Sequence, residues 1–367
     1  AALDQLSEDV ADLWSSPSSS SSSSSSIPQI DASELTALRF LREFVSQSKP
    51  VIINNLVDHW TAALESWQDD EYLCDASNDP EVSVNVTPNG WGDCIHRMRG
   101  GEDVFVRPEE RTMKLSEFLS ILDGDGSDHF DGAAYISHQN DSLRTQFSAL
   151  MKDVDDVLPL AREAFDSKPD ATNLWLGNEK SVSSLHKDHY ENMYVVVHGV
   201  KHFLLFPPSD VAFLENGVDD QNFRTARFIH GGSAPQNEAD NNEDTDGSHR
   251  NAIPLEDNSS SSWKVLMDDD GEEGSAATTT PWVRPWDEST GPPRRTSPIE
   301  VVLRKGQVLY IPALWYHQVS QRGRTIAVNY WHDMVFDHKW IYHNFVRNAG
   351  KAFREQQLQI EDRRQEK

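Results

Sequence analysis

SVSSLHKDHYENMYVVVHGVKHFLLFPPSD, residues 181–210, sets His186, His189, His198 and His202 among runs of β-branched and aromatic residues. Such runs form strands, and side chains alternate across a strand. His186 and Asp188 therefore share one face, and His189 and Glu191 share the other. Only one of these pairs can look into a closed sheet. A His-x-Asp pair alone is weak evidence in a chain with 14 histidines. His129 with Asp131, in the loop sequence DGDGSDHFDG, is a further decoy, with no strand to fix its ligands and every reason to be exposed. His198 and His202 read as wall or surface residues.

What singles out His186 and Asp188 is a third donor far downstream. GQVLYIPALWYHQV, residues 306–319, leads a strand to a proline and then to His317, and a closing barrel can lay a late strand beside an early one. Two imidazoles and one carboxylate occupy one face of an octahedral ion and leave the opposite face open, the arrangement of non-haem Fe(II) oxygenases. A structural zinc site would be closed by four ligands, usually cysteines, and no CxxC is present. Such an iron enzyme needs an anchor for a dicarboxylate co-substrate. Lys201, on the strand expected after a turn at Gly199, supplies a cation for the distal carboxylate of 2-oxoglutarate, and Tyr135, Ser183, Asn192 and Asn329 offer hydroxyl and amide contacts.

Around this stretch the period-two pattern repeats in AAYIS (133–137), TNLWLG (172–177), WKVLM (263–267), IEVVLRKGQ (299–307), VLYIP (308–312) and TIAVNYW (325–331). Earlier, PVIINNL (50–56) reads as a buried strand. ELTALRFLREFV (34–45) places Leu35, Leu38, Leu41 and Val45 on one helical stripe. Short strands between Gly and Pro punctuation, with helices concentrated upstream, predict a β-barrel or sandwich with a helical surround. Trp175, Trp315 and Trp331 are expected to line or back its core.

Composition narrows the function classes. The 367 residues carry a formal charge of -27, which repels phosphate backbones and anionic membrane surfaces, so neither direct nucleic-acid binding nor membrane association is expected. No stretch approaches the roughly 18 apolar residues of a membrane span. The two cysteines, Cys74 and Cys94, build no disulfide framework; this, with an N-terminus lacking the features of a secretory signal, predicts a reducing compartment, cytoplasmic or nuclear. SSPSSSSSSSSS (15–26) and the acidic stretch at about 231–261 are read as disordered.

These motifs resemble the Jumonji-C (JmjC) oxygenases, and within them a subgroup of small lysyl hydroxylases. The matching text is NLWLG at 173, SLHKDHYENMY at 184, KHFLLFPPSD at 201, LYIPALWYHQV at 309 and AVNYWHDM at 327, with PVIINNL, VSVNVTPNGWGD and PEERTMKLSEFL upstream. The resemblance implies a double-stranded β-helix, the jelly-roll barrel of cupin and JmjC proteins. It implies Fe(II) held by His186, Asp188 and His317, with 2-oxoglutarate and O2 as co-substrates. It implies Lys201 as the 2-oxoglutarate salt-bridge residue, supported by Tyr135, Ser183 (where relatives often have Thr), Asn192 and Asn329. The implied reaction releases succinate and CO2 and hydroxylates C3 of a lysyl side chain in a protein, a translation-factor-like GTP-binding protein being the expected partner. N-methyl-lysine or N-methyl-arginine demethylation at the same iron, an associated peptidase activity, or a non-catalytic cupin scaffold recruiting basic partners are the alternatives.

The expected organisation is a disordered leader over 1–30, a helical and β part over 31–132 packing on the barrel, the barrel over 133–335, and a helical tail over 336–367. That tail is read as a helix interrupted near Gly350, with Phe336, Trp340, Ile341 and Phe345 as a stripe for packing on the barrel or for a homodimer.

Overall fold

Two long antiparallel strands, Tyr190–Phe206 and Tyr316–Asp333, organise the molecule, paired from Tyr190↔Asp333 to Phe206↔Tyr316. A computed structural model describes residues 2–14, 27–98, 100–124, 130–214, 222–230, 253–254, 262–268, 278–283 and 295–365. The first half of Tyr190–Phe206 also pairs with Val308–Ile311 and the second half with Ile299–Arg304. Tyr316–Asp333 pairs with Ala171–Gly177 near its end and with Val182–Lys187 near its start. One nine-stranded sheet thus folds over on itself, giving the jelly-roll barrel with surrounding helices and smaller sheets. Val51–Asn54 pairs with Val308–Ile311, so the region expected only to pack on the barrel adds strands to its sheet.

The strands bury two different faces. Tyr194, Val196, Phe203, Leu205, Leu309 and Ala327 form the barrel interior. Met193, Val195, Val197, Tyr310, Val328 and Tyr330 face outward into a second core under the helices, with Phe40, Phe118 and Phe147. Inward positions of Tyr190–Phe206 are therefore even up to Val196 and odd from Phe203. The switch occurs at two register shifts, Val196 to His198 and His198 to Val200, with Gly199 at φ 80°. The turn predicted at Gly199 is not made. Instead the chain bulges within one strand, which flips the side-chain alternation and carries Lys201 inside and His202 to the exposed outer surface.

Three further expectations are corrected. ELTALRFLREFV forms an α-helical turn, Ala37–Phe40, that continues as a π-helix, Leu41–Val45. Of the predicted stripe Leu35 and Val45 are buried, alongside Ala37, Phe40 and Phe44, while Leu38 and Leu41 are 63% and 38% exposed. Both sets have helical spacing; the larger aromatic area takes the core, and the widened turn slips the stripe. The C-terminal helix His338–Gln365 runs through Gly350 without a break. A Cβ on Gly350 would lie 2.7 Å from the Ala212 Cα, so the glycine permits close packing. That helix turns Trp340, His343 and Val346 inward, whereas Phe336, Ile341 and Phe345 are exposed. The leader is helical over Ala2–Trp14, with Val10 buried and Asp4 paired to Arg295 at 2.6 Å. The serine run 15–26 and all of 231–261 except Ile253–Pro254 lie outside the described residues. Among the described residues no helix is long and apolar enough to cross a membrane.

Candidate active site

His186 and His317 sit directly opposite each other on paired strands, with ring centroids 4.3 Å apart. Asp188 follows in the link to Tyr190, and its carbonyl accepts from the Leu314 N–H at 2.9 Å, tying this link to the turn that feeds His317. Asp188 Oδ2 lies 3.9 Å from His186 Nε2 and 3.6 Å from His317 Nε2. Each imidazole is oriented from behind. His186 Nδ1 donates to the Ser184 carbonyl at 2.7 Å and His317 Nδ1 to the Trp315 carbonyl at 3.0 Å. A carbonyl only accepts, so Nδ1 is the protonated nitrogen of each ring, and in the neutral form it is Nε2 that presents its lone pair to a metal. Burial pushes the pKa of His317 down to about 4, keeping it in the neutral form that a metal requires.

Asp188 Oδ2 is buried without a hydrogen-bond partner, a costly condition that calls for a missing ligand. The three donor atoms lie within 4.8 Å of one another. Two imidazoles and one carboxylate on a single face fit Fe(II).

The decoys go elsewhere. His189 is exposed between the rings of Phe336 and Trp340, at 6.0 and 5.2 Å. Glu191 points to the outer face, where it accepts from Tyr310 Oη at 2.5 Å and the Ala313 N–H at 3.2 Å and steadies the turn preceding His317. His198 is half-buried. His129 lies outside the described residues.

A second cluster gathers on the interior face. Lys201 is 1% exposed; its Nζ donates to Tyr135 Oη at 2.9 Å and to Gln321 Oε1. Ser183 and Tyr194 hydrogen-bond to the Tyr135 hydroxyl, which burial holds protonated well above the ordinary tyrosine range. Ser183 and His186, three residues apart, would face opposite ways on a regular strand. A register shift between them turns both inward, opposite Val319 and His317. The amides form a third group: Asn329 Nδ2 donates to Asn192 Oδ1 at 3.2 Å, and Asn329 Oδ1 accepts from Trp175 Nε1 at 2.9 Å and Asn173 Nδ2 at 3.3 Å. Trp175, Trp315 and Trp331 are all buried.

Sequence reasoning missed Gln321, Tyr194, Asn173 and Trp282. Gln321 is legible after the fact, because counting by twos from His317 through Val319 reaches it on the same face. Tyr194 likewise follows Asn192. Trp282, which stacks on His186 at 6.2 Å with an interplanar angle of 7°, had no such signal.

A jelly-roll barrel that presents two histidines and one aspartate to a single point defines an iron-dependent oxygenase. Comparison with known proteins agrees. Residues 37–338 match the cupin-like domain family. The chain is 35% identical over 372 residues to the JmjC domain-containing protein E of Dictyostelium discoideum, covering 95% of this chain and 96% of that protein. It is 34% identical over 331 residues to the Lysine-specific demethylase JMJ32 of Arabidopsis thaliana, covering 86% and 84%. To the Bifunctional peptidase and (3S)-lysyl hydroxylase JMJD7 of Homo sapiens it is 33% identical over 332 residues, covering 89% and 90%. The chain belongs to the cupin-like, JmjC family of oxygenases. It is a 2-oxoglutarate-dependent dioxygenase with Fe(II) as cofactor and O2 as second co-substrate.

Proposed function

We propose that this dioxygenase hydroxylates C3 of a lysyl side chain in a protein substrate, a GTP-binding protein of the translation-factor class, with release of succinate and CO2. The observation that carries the oxygenase part is the convergence of His186 Nε2, His317 Nε2 and Asp188 Oδ2. Likeness to the lysyl hydroxylase over most of both chains supports the lysyl part. Bound at the triad, Fe(II) supplies the coupled oxidation of 2-oxoglutarate and a substrate C–H bond by O2. The chain's own part is to bind and orient: Lys201, with Tyr135 and Ser183 beside it, takes the distal carboxylate, and Asn192 and Asn329 lie on the same interior face. Packed aromatic walls around them exclude water.

Mass spectrometry of lysine-containing peptides tiling GTP-binding proteins, incubated with the iron-loaded protein and 2-oxoglutarate, tests this reading. A gain of one oxygen on unmethylated lysine supports it. Loss of a methylene from methylated peptide, with formaldehyde release, supports the second reading, an N-methyl demethylase, which the likeness to the Arabidopsis protein favours. No HExxH occurs in the sequence, so a metallopeptidase activity has no motif of the usual kind behind it. The exposed Ile341, Tyr342 and Phe345 on the C-terminal helix support a homodimer as the assembled form.

Lys201 provides a prediction. Burial lowers its pKa to about 7, so from about pH 7 to about 10.4 the unfolded chain holds more protons than the native one. Stability of the ligand-free protein therefore rises with pH across that window. Binding of the 2-oxoglutarate dianion needs the charged amine, so affinity is expected to fall by up to about tenfold per pH unit above pH 7. Lys201→Arg should flatten this profile, and Lys201→Met should weaken binding about a hundredfold at pH 7. Titration of 2-oxoglutarate against each variant at pH 7 and 9 checks both; a flat wild-type profile would remove Lys201 from the carboxylate's binding site.

A further inference from the structure

We propose that Asp93 binds the ammonium group of the substrate's lysyl side chain; this rests on the lysyl reading above and names the residue that would enforce it. Asp93 closes the VSVNVTPNGWGD segment, which the site described so far does not use. Trp91–Gly92 pairs in parallel with Val182–Ser183, so the next residue, Asp93, falls beside Ser184, two positions before His186. The Ser184 hydroxyl donates to the Asp93 carbonyl and accepts from Trp282 Nε1 at 3.2 Å. Trp282 in turn lies parallel to the His186 ring and meets Phe105 at 4.6 Å. Asp93 is thereby fastened to the residues that frame the iron ligand.

Its carboxylate is nevertheless unclaimed among the described residues. Among the described residues it makes no hydrogen bond or ion pair. The groups whose fields reach it are His186 and Arg107, and Arg107 is engaged with Asp268 at 2.8 Å. Asp93 is half-buried, and burial raises the pKa of its carboxyl. Holding a carboxylate without a partner at a half-buried position is costly; its φ of 51° is a left-handed conformation that aspartate and asparagine adopt more readily than other non-glycine residues. It does not complete the metal site, because the donors within mutual reach are His186, Asp188 and His317. The partner that fits this carboxylate is a cation arriving with the substrate. A lysyl ammonium, several bonds beyond the C3 to be oxidised, suits a carboxylate placed beside the iron triad, where a charge-assisted hydrogen bond fixes the side chain's reach.

The test compares wild type with Asp93→Asn. Asparagine is isosteric and tolerates the left-handed conformation, so the variant is expected to melt no lower than wild type. Calorimetry uses a pentapeptide with lysine between glycines and its norleucine twin; kinetics use the best lysine peptide from the mass-spectrometric screen and its norleucine version. Wild type is expected to prefer lysine by more than about a hundredfold, and Asp93→Asn to narrow that preference to within about tenfold. An unchanged preference in the folded variant overturns the inference. A wild type that demethylates and adds no oxygen to lysine overturns the hydroxylase reading instead, while Asp93 still stands or falls on the calorimetric difference between the two pentapeptides.

Discussion

Asp188→Ala is expected to abolish turnover while leaving the metal-free protein at least as stable as wild type. The two effects have one cause. Asp188 Oδ2 is buried with no hydrogen-bond donor, 3.9 and 3.6 Å from the Nε2 atoms of His186 and His317. In the absence of metal this is an uncompensated polar group, and its removal relieves about 1–3 kcal/mol. With the metal, the same oxygen is one of three ligands, and its loss should weaken affinity by more than the 10–100-fold typical of altering a supporting partner. Thermal melts with and without Mn(II), a redox-silent substitute, should therefore show a large metal-dependent rise in Tm for wild type. For Asp188→Ala they should show none, from an equal or higher starting Tm. A variant that melts well below wild type without metal would mean that the carboxylate has a structural partner, and the ligand assignment would fail.

The comparison of sequence with structure divides along physical lines. His186, Asp188 and His317 were legible because a strand's alternation and a His-x-Asp spacing are local, and because barrel closure has few ways to bring a late strand back. Register irregularities were not legible. Ser183 and His186 share the interior only through the shift between them, and Lys201 reaches it only through the bulge at His198 and Gly199. A bulge is decided by the fit of two strands distant in sequence, so no window of one strand contains it. The stripe of ELTALRFLREFV is buried at Leu35 and Val45 but fails at Leu38 and Leu41 for a related reason. Leu38 and Leu41 satisfy the helical period as well as Phe40 and Phe44 do, and the choice belongs to the surface they meet: Phe40 packs on Tyr310 at 4.9 Å and Phe165 at 5.9 Å. Trp282 stands at the far end of this scale. Its place over His186 depends on tertiary contacts with Phe105 and Ser184 that no periodicity announces.

The same bulge gives the largest expected effect on the fold. A Cβ on Gly199 would stand 2.4 Å from the Arg324 carbonyl oxygen and 2.6 Å from Thr325 Oγ1, on the strand that carries His317. Backbone cannot swing aside as a flexible side chain can, and φ 80° adds left-handed strain. Gly199→Ala is expected to cost about 3–5 kcal/mol, the range of severe backbone and packing defects. Gly306 is the control: its φ of 79° is nearly the same, but nothing lies within 4 Å of its added Cβ. Gly306→Ala should cost only about 1–2 kcal/mol. Denaturant titration of the two variants separates strain from contact, and 2-oxoglutarate binding by the folded fraction carries the argument to function. If the bulge sets which face Lys201 occupies, relaxing it in Gly199→Ala should weaken 2-oxoglutarate binding, whereas Gly306→Ala should bind as wild type does. Equal destabilisation of the two variants, or full 2-oxoglutarate affinity in Gly199→Ala, would show that Lys201 owes its inward position to something other than the bulge.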